Sequence, residues 1–410
     1  MSETEAEARF SEAVAFLQEL IKVPTENPPG DCAEPADQIA QLFEERGFEV
    51  EEHPVPDPFV RQYGMRSATN LVIRRTFGSG AGPTIALASH ADVVPPGENW
   101  TTDPYGAEIR AGAVYGRGAT DAKADVAGFA YALRSLEDLD VALHGTVEIH
   151  VTFDEEGGGF VGPQWLIEQG LTKPDMVIAA GFVNTITTAH NGCLHLEVVV
   201  RGRAAHAAVP ETGSDALEAA APILTALYDE RKRLAGVVSQ EAGIGSARLT
   251  VGTISGGLHI NVVPDRVVMK VDRRLIPEEE PETVEAELTK LVTEAAAGIE
   301  GVEVECRRLM LTGAMRPVEG VDRLVAPLKR HADDIIGRDV PVSGAPVYTS
   351  ARHYSAAGIP TVLYGSSAGV AGVTDSHAAD EHVMLDDFRT AMKVVTATLA
   401  DLLTPASQEG

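Results

Sequence analysis

Apolar positions along the 410-residue chain recur first at helical and then at strand spacing, and the two textures alternate. Phe10, Val14, Leu17 and Ile21 fall at three- and four-residue intervals, which lines one face of a helix, and a second helical stretch runs from about Pro35 until Gly47 stops it. Strand-like runs follow at 70–74 and 83–90, then a strand at 146–153, a helix at 161–169 and a strand at 175–180. Such alternation predicts an α/β layer with a mixed, mostly parallel sheet and flanking helices, whose ligands gather at the carboxyl ends of the strands.

From about Asn191 the texture changes. HLEVVVRGRAAH alternates as a strand, 214–234 reads as a long helix, ARLTVGTISGG and NVVPDRVVMKVDRRL read as paired strands, and 281–297 is a further helix. This block predicts an inserted α+β domain over 191–309. It interrupts a catalytic α/β domain built from 1–190 and 310–410, where VPVSGAPVYTS and IPTVLYGSS resume strand-and-loop texture before a last helix at 386–403.

Charge narrows the function. With 33 Lys plus Arg against 61 Asp plus Glu the formal charge is −28, a field that repels phosphate backbones and anionic lipid. Neither a nucleic-acid partner nor a membrane is expected, and no apolar run approaches the roughly 20 residues that span a bilayer. The segment MSETEAEARFSEAV is acidic where a secretory leader is basic and then apolar, so a cytoplasmic protein is expected. Cys32, Cys193 and Cys306 are widely separated and odd in number. They make neither a disulfide framework nor a zinc ribbon, and read as buried, inert thiols.

Four clusters carry candidate chemistry: Ser89-His90-Ala91-Asp92, the stretch from Gly116 to Lys123, Asp154-Glu155-Glu156-Gly157, and the stretch from Ser376 to His382. Each places a His or a carboxylate at the end of a predicted strand or in a Gly-rich loop. Imidazole nitrogen and carboxylate oxygen together suit zinc, manganese or cobalt.

Taken in order, SHADVVPPGENW, YGRGATDAK, TFDEEGGG, RGRAAHAAVPETGSDA, NVVPDRVVMKVDRR and SHAADEHV resemble the metallopeptidase family of acetylornithine deacetylase, succinyl-diaminopimelate desuccinylase, aminoacylase and glutamate carboxypeptidase. The resemblance covers nearly the whole chain and implies a metallo-exopeptidase-like catalytic domain with an inserted dimerisation (lid) domain. It makes His90, Asp121, Glu156 and His377 metal ligands, with Asp121 bridging, and Asp92 the carboxylate that orients His90. Glu155 resembles the general base, and His206 the histidine that reaches across a dimer to polarise the scissile carbonyl. Asn261, Arg274 and Arg352 match positions that grip a substrate carboxylate. A homodimer or higher homo-oligomer acting on a small molecule is implied in the same way.

The pattern breaks at one ligand. Where the family carries a carboxylate after the next strand, the stretch PDMVIAAGFVNTITTAHNG places Gly181 or Phe182, neither of which binds metal. Asp175, Asn184 or His190 could substitute through a local shift. Ala122, Ala124 and Ser350 are smaller departures. The expectation is one or two divalent ions (zinc, manganese or cobalt) per chain, with one favoured. The leading function is hydrolysis of a C–N bond in a carboxylate-bearing amide, of deacylase, desuccinylase or dipeptidase type. Hydrolytic deamination of an electron-poor aromatic amine, as in nitroanthranilate aminohydrolase, is the alternative, with Phe182 as its hint of a flat substrate. A non-catalytic binding protein on the same scaffold is a third, against which the retained Glu155 counts.

Overall fold

The strand Thr84–His90 reads TIALASH and Met176–Ala179 reads MVIA; neither alternates, because both faces are covered and nearly every residue is buried. The structure, a computed structural model, describes residues 3–369 and 376–405. Thr84–His90 and Met176–Ala179 lie in an eight-stranded sheet whose spatial order is Val50–Pro54, Thr69–Phe77, Gly145–Thr152, Thr84–His90, Met176–Ala179, Thr361–Leu363, Ile186–His190 and Val342–Ala345. Pairing is parallel through the middle four, antiparallel among Val50–Pro54, Thr69–Phe77 and Gly145–Thr152, and antiparallel between Thr361–Leu363 and Ile186–His190.

Helix Ala124–Glu137 is buried along almost its whole length. Its small residues permit that: a Cβ on Gly128 would stand 3.1 Å from the Phe388 ring on helix Leu385–Leu403. Helix Glu3–Ile21 buries Phe10, Phe16, Leu17 and Ile21 in the same core, with Phe16 edge-on to Phe43 of helix Ala33–Glu44. Each such fully buried side chain contributes roughly 1.5–3 kcal/mol.

The second unit has its own four-stranded antiparallel sheet, in the order Arg248–Gly256, Arg266–Leu275, Gly192–Arg201, Glu303–Thr312. Alternation works here as period-two patterning requires. Leu194, Leu196, Val198, Val200, Val267, Met269 and Val271 pack with helices Ala216–Leu234 and Pro281–Ala295, and the residues between them form the other face. Asp215 caps the first of these helices, accepting from the N–H groups of Leu217 and Glu218 at 2.8 and 3.2 Å, worth about 1 kcal/mol.

The chain divides into Met1–Thr188, Arg316–Ser343 and Thr349–Gly410 as one unit and Ala189–Met315 with Gly344–Tyr348 as the other. These limits differ from 191–309. Residues 310–315 complete the edge strand and the His190–Met315 pairing, and Gly344 and Val347 bond to Ala242 and Asn191. Strand Glu303–Thr312 and helix Asp322–Ile336 were absent from the sequence reading. The helix at 161–169 is a widened turn, Phe160–Gln164 with Pro163 inside it, followed by Trp165–Glu168. Cys32 and Cys193 are buried, whereas Cys306 is only half-buried. Among the described residues no helix is long and apolar enough to cross a membrane.

Candidate metal centre

Parallel pairing sets His90 level with Thr152, and the ladder continues one step further through the Ala91 N–H to the Thr152 carbonyl at 2.8 Å. Asp92 and Glu155 therefore leave two neighbouring strands at the same carboxyl edge. Asp92 is fully buried and binds this edge together. Its Oδ1 accepts from the Glu155 N–H at 3.1 Å, and its Oδ2 accepts from the Glu156 N–H at 3.2 Å and from Asn27 Nδ2 at 3.0 Å. The Nδ1 of His90 stands 3.0 Å from the Asp92 carbonyl and 3.3 Å from Asp92 Oδ1, both of which accept from it, so Nε2 is the ring nitrogen turned to Asp121 and can ligate once it gives up its proton.

Asp121 comes from the turn Ala119–Lys123, where its dihedrals of φ −133° and ψ 87° break the helical run. Its Oδ1 is 3.1 Å from His90 Nε2 and its Oδ2 is 3.4 Å from His377 Nε2, while His377 Nε2 is 3.1 Å from Oε1 of Glu156. Donor atoms of Asp121, Glu156 and His377 all lie within 4.8 Å of one another. Two carboxylates and an imidazole at this spacing fit a divalent ion of the zinc, manganese or cobalt kind. His90 stands on the far oxygen of Asp121.

Electrostatics in the metal-free protein show the same convergence. Hydrogen bonds to Asp121 and Glu156 push His377 up to about 10. Burial works against a charge on His90, yet Asp121 and Asp92 outweigh it and raise it well above the usual histidine range. Burial likewise opposes ionisation of Asp121, and His377 and His90 overcome it to hold the carboxyl well below its ordinary value. Glu155 goes the other way: burial pushes it up to about 8, with Glu156, Asp121 and Asp92 adding repulsion.

The loops have anchors that the sequence reading passed over. Glu381 accepts from the N–H groups of Thr120 and Asp121 at 3.0 and 3.1 Å and pairs with Arg117, both side chains being 1% exposed. Asp380 accepts from the Thr101 N–H at 2.8 Å. Together they hold the segment in which His377 adopts a left-handed φ of 68°, a conformation costly for a residue with a Cβ. Lys123 is buried and donates to the carbonyls of Leu20 and Val23 at 3.1 and 2.7 Å. Arg117, Lys123 and Glu381 all stood inside the quoted motifs, which was the available signal.

Arg352 is buried, donates to the Gly158 carbonyl and lies over the Phe160 ring. It braces the loop that follows Glu156. In the second unit, His206 and Asn261 are exposed on paired segments, with the Ala207 N–H donating to the Asn261 carbonyl at 3.0 Å. The Ala208 N–H donates to Nδ1 of His206 at 3.0 Å, which puts the proton of the neutral ring on Nε2. Arg274 is half-buried, paired with Asp272 at 3.0 Å and set against the Tyr348 ring.

Gly181 lies two residues beyond the strand Met176–Ala179, and no larger residue fits there: a Cβ would stand 2.7 Å from that of Leu363 and 2.8 Å from the Tyr364 nitrogen. A carboxylate comes to it from elsewhere. Asp125, buried in the first turn of Ala124–Glu137, accepts from the Gly181 N–H at 3.1 Å and from the Ser366 N–H and hydroxyl, both at 2.7 Å. Burial pushes it up to about 7 against those bonds. Asp175 does not substitute for the missing ligand. It accepts from the Thr84 N–H, at the opposite end of the strand from His90. Asn184 accepts from Arg338, and His190 lies in the second unit with Nδ1 on the Asn191 carbonyl. Phe182 is buried and bridged to Ser367, which makes it a packing residue.

A profile described as peptidase family M20/M25/M40 matches residues 86–401. A succinyl-diaminopimelate desuccinylase from a Caulobacter species is 28% identical over 404 residues, covering 95% of this chain and 95% of its own. An M20 family metallo-carboxypeptidase from Sulfolobus solfataricus shares the fold with a TM-score of 0.76 at 19% identity, over 98% of this chain and 99% of its own. A dinuclear metal binding peptidase of the M20 family from Bacillus subtilis does so with a TM-score of 0.69 at 17% identity, over 97% and 100%. The profile spans well over half of the chain, and on that ground the protein belongs to peptidase family M20/M25/M40 and is a metallohydrolase acting on carbon–nitrogen bonds.

Proposed function

We propose that the protein hydrolyses the amide bond of a small N-acyl amino acid, of N-succinyl or similar type, with a single divalent ion held by Asp121, Glu156 and His377. The observation that carries this reading is the convergence of those three donors within 4.8 Å, with Glu155 beside them. A bound ion would polarise the scissile carbonyl and make water easier to deprotonate.

The chain's own groups supply the rest. Glu155, in its ionised form, takes a proton from the attacking water on a carboxylate oxygen and passes it to the leaving nitrogen as the C–N bond breaks, giving a carboxylic acid and an amine. Asp92 fixes the backbone on both sides of that step through the N–H groups of Glu155 and Glu156. His206 presents an Nε2–H suited to polarising a carbonyl oxygen, and Arg274 and Asn261 are suited to a substrate carboxylate. Support for a single ion comes from Gly181, which leaves His90 and one oxygen of Asp121 without a third ligand of their own.

A homodimer completes the reading, since Leu258 and Ile260, flanking the Asn261 segment, are 86% and 96% exposed. The protein is expected to act in the cytoplasm. Mixing His206→Ala chains with Glu155→Gln chains restores part of the activity if His206 acts across subunits; no restoration places it within its own chain.

Product analysis tests the whole reading. N-succinyl and N-acetyl amino acids should yield acid plus amine, and Glu155→Gln should lower kcat by about 10²–10⁴-fold with the metal still bound. Ammonia and a hydroxylated product from an aromatic amine would replace amide cleavage by deamination. Full activity in Glu155→Gln would remove that residue from the mechanism.

A further inference from the structure

The four-stranded sheet packs one face against helices, and the other carries mostly polar side chains together with the buried pair Val199 and Val268. On that second face Asp272 stands directly opposite His195, and Arg274 directly opposite Cys193, across antiparallel strands. Opposed residues lie about 5 Å apart and residues two apart share a face. Register alone therefore stacks a thiol, an imidazole, a carboxylate and a guanidinium in one block. The donor atoms of Cys193, His195 and Asp272 all lie within 4.8 Å of one another.

We propose that Cys193, His195 and Asp272 form a second metal site, selective for zinc or a similarly thiolate-seeking divalent ion, built wholly within this unit. Sulfur, nitrogen and oxygen donors together suit the tetrahedral preference of zinc, with the fourth position left to water. A thiolate disfavours magnesium, calcium and manganese, which prefer oxygen. Asp272 can serve the ion without abandoning its partner: Arg274 Nε donates to Oδ1 at 3.0 Å, and Oδ2 is the oxygen 3.3 Å from His195 Nε2. Binding takes a proton from the thiol to solvent and moves the Nε2 proton that His195 donates to Oδ2 onto Nδ1, which frees the Nε2 lone pair and Oδ2 for the ion.

The charges allow it. Burial opposes the Arg274 charge, and Cys193 and Asp272 offset that burial. A thiolate and a carboxylate beside one guanidinium leave a net negative site for a divalent cation. Asp272 itself is held below its ordinary value, burial being outweighed by His195 and Arg274. Access is from the imidazole and carboxylate side, since the side chains of His195 and Asp272 are 38% and 31% exposed while Cys193 is buried.

The Asp121, Glu156 and His377 cluster contains no sulfur, so cobalt(II) distinguishes the two sites. Metal-free, full-length protein titrated with cobalt should develop a thiolate-to-cobalt charge-transfer band in the near ultraviolet. That band should persist in Glu156→Gln and vanish in Cys193→Ser. His195→Gln, at a half-exposed position where folding is not at risk, should raise the cobalt concentration at half-saturation by about tenfold or more. It carries the test alone if Cys193→Ser does not fold. The proposal is overturned by the absence of a band in excess cobalt, by a band that survives Cys193→Ser, or by an unchanged half-saturation in His195→Gln.

Discussion

Asp92 is the residue on which most of the metal centre rests. One buried carboxylate holds the N–H groups of Glu155 and Glu156 and the amide of Asn27, while its own carbonyl orients His90. Asp92→Ala leaves those donors unanswered and the loop free to move, and calorimetric titration should show metal affinity lower by about 10–100-fold. The proton on His377 makes a second prediction. With its pKa raised to about 10 in the metal-free protein, metal must displace that proton, so affinity should climb about tenfold per pH unit between about pH 6 and about pH 8. A pH-independent affinity would remove His377 from the ligand set. The sign for folding is the reverse: in metal-free protein the pairing of His377 with Asp121 and Glu156 stabilises fully below the ordinary histidine value and is lost as pH rises towards about 10. His90, Asp121, Glu156 and His377 were legible as ligand types in the sequence. The several duties of Asp92 were not, because they run to backbone groups 63 and 64 residues away that only strand pairing brings near.

At the scale of elements, three parallel strands deliver His90, Glu155 and Gly181 to one edge, and loops complete the site. The apolar runs made those strands readable, since parallel strands buried on both faces need unbroken hydrophobic sequence. Helix Asp322–Ile336 has Leu324, Leu328 and Ala332 on its buried face, but the charged residues between them masked the period, and the edge strand Glu303–Thr312 is masked in the same way. The Arg117–Glu381 pair ties the loop before the buried helix to the loop carrying His377. Glu381→Ala strands a buried guanidinium and should cost about 3–5 kcal/mol, measured as a lower denaturant midpoint. Asp125 joins the Gly181 turn to Ser366. Gly181→Glu should therefore destabilise the fold without raising the manganese content, because its Cβ meets Leu363 and Tyr364.

For the whole molecule, the two units each have their own core: the first contains the carboxylate–histidine cluster, and the second contains His206, Asn261 and Arg274. Ordered motifs along the sequence make the family legible. The substrate is less so, because a fold and its ligand types say little about which acyl group is recognised. A formal charge of −28 makes polyanionic partners unexpected and says nothing about which amide would be cleaved. The most direct test is to titrate metal-free protein with manganese, which a thiolate site takes poorly, while following hydrolysis of an N-succinyl amino acid. Activity should reach its plateau at one ion per chain, with acid and amine released in equal amounts. A plateau that requires two ions, or no amide cleavage at any loading, would contradict the single-ion amide hydrolase.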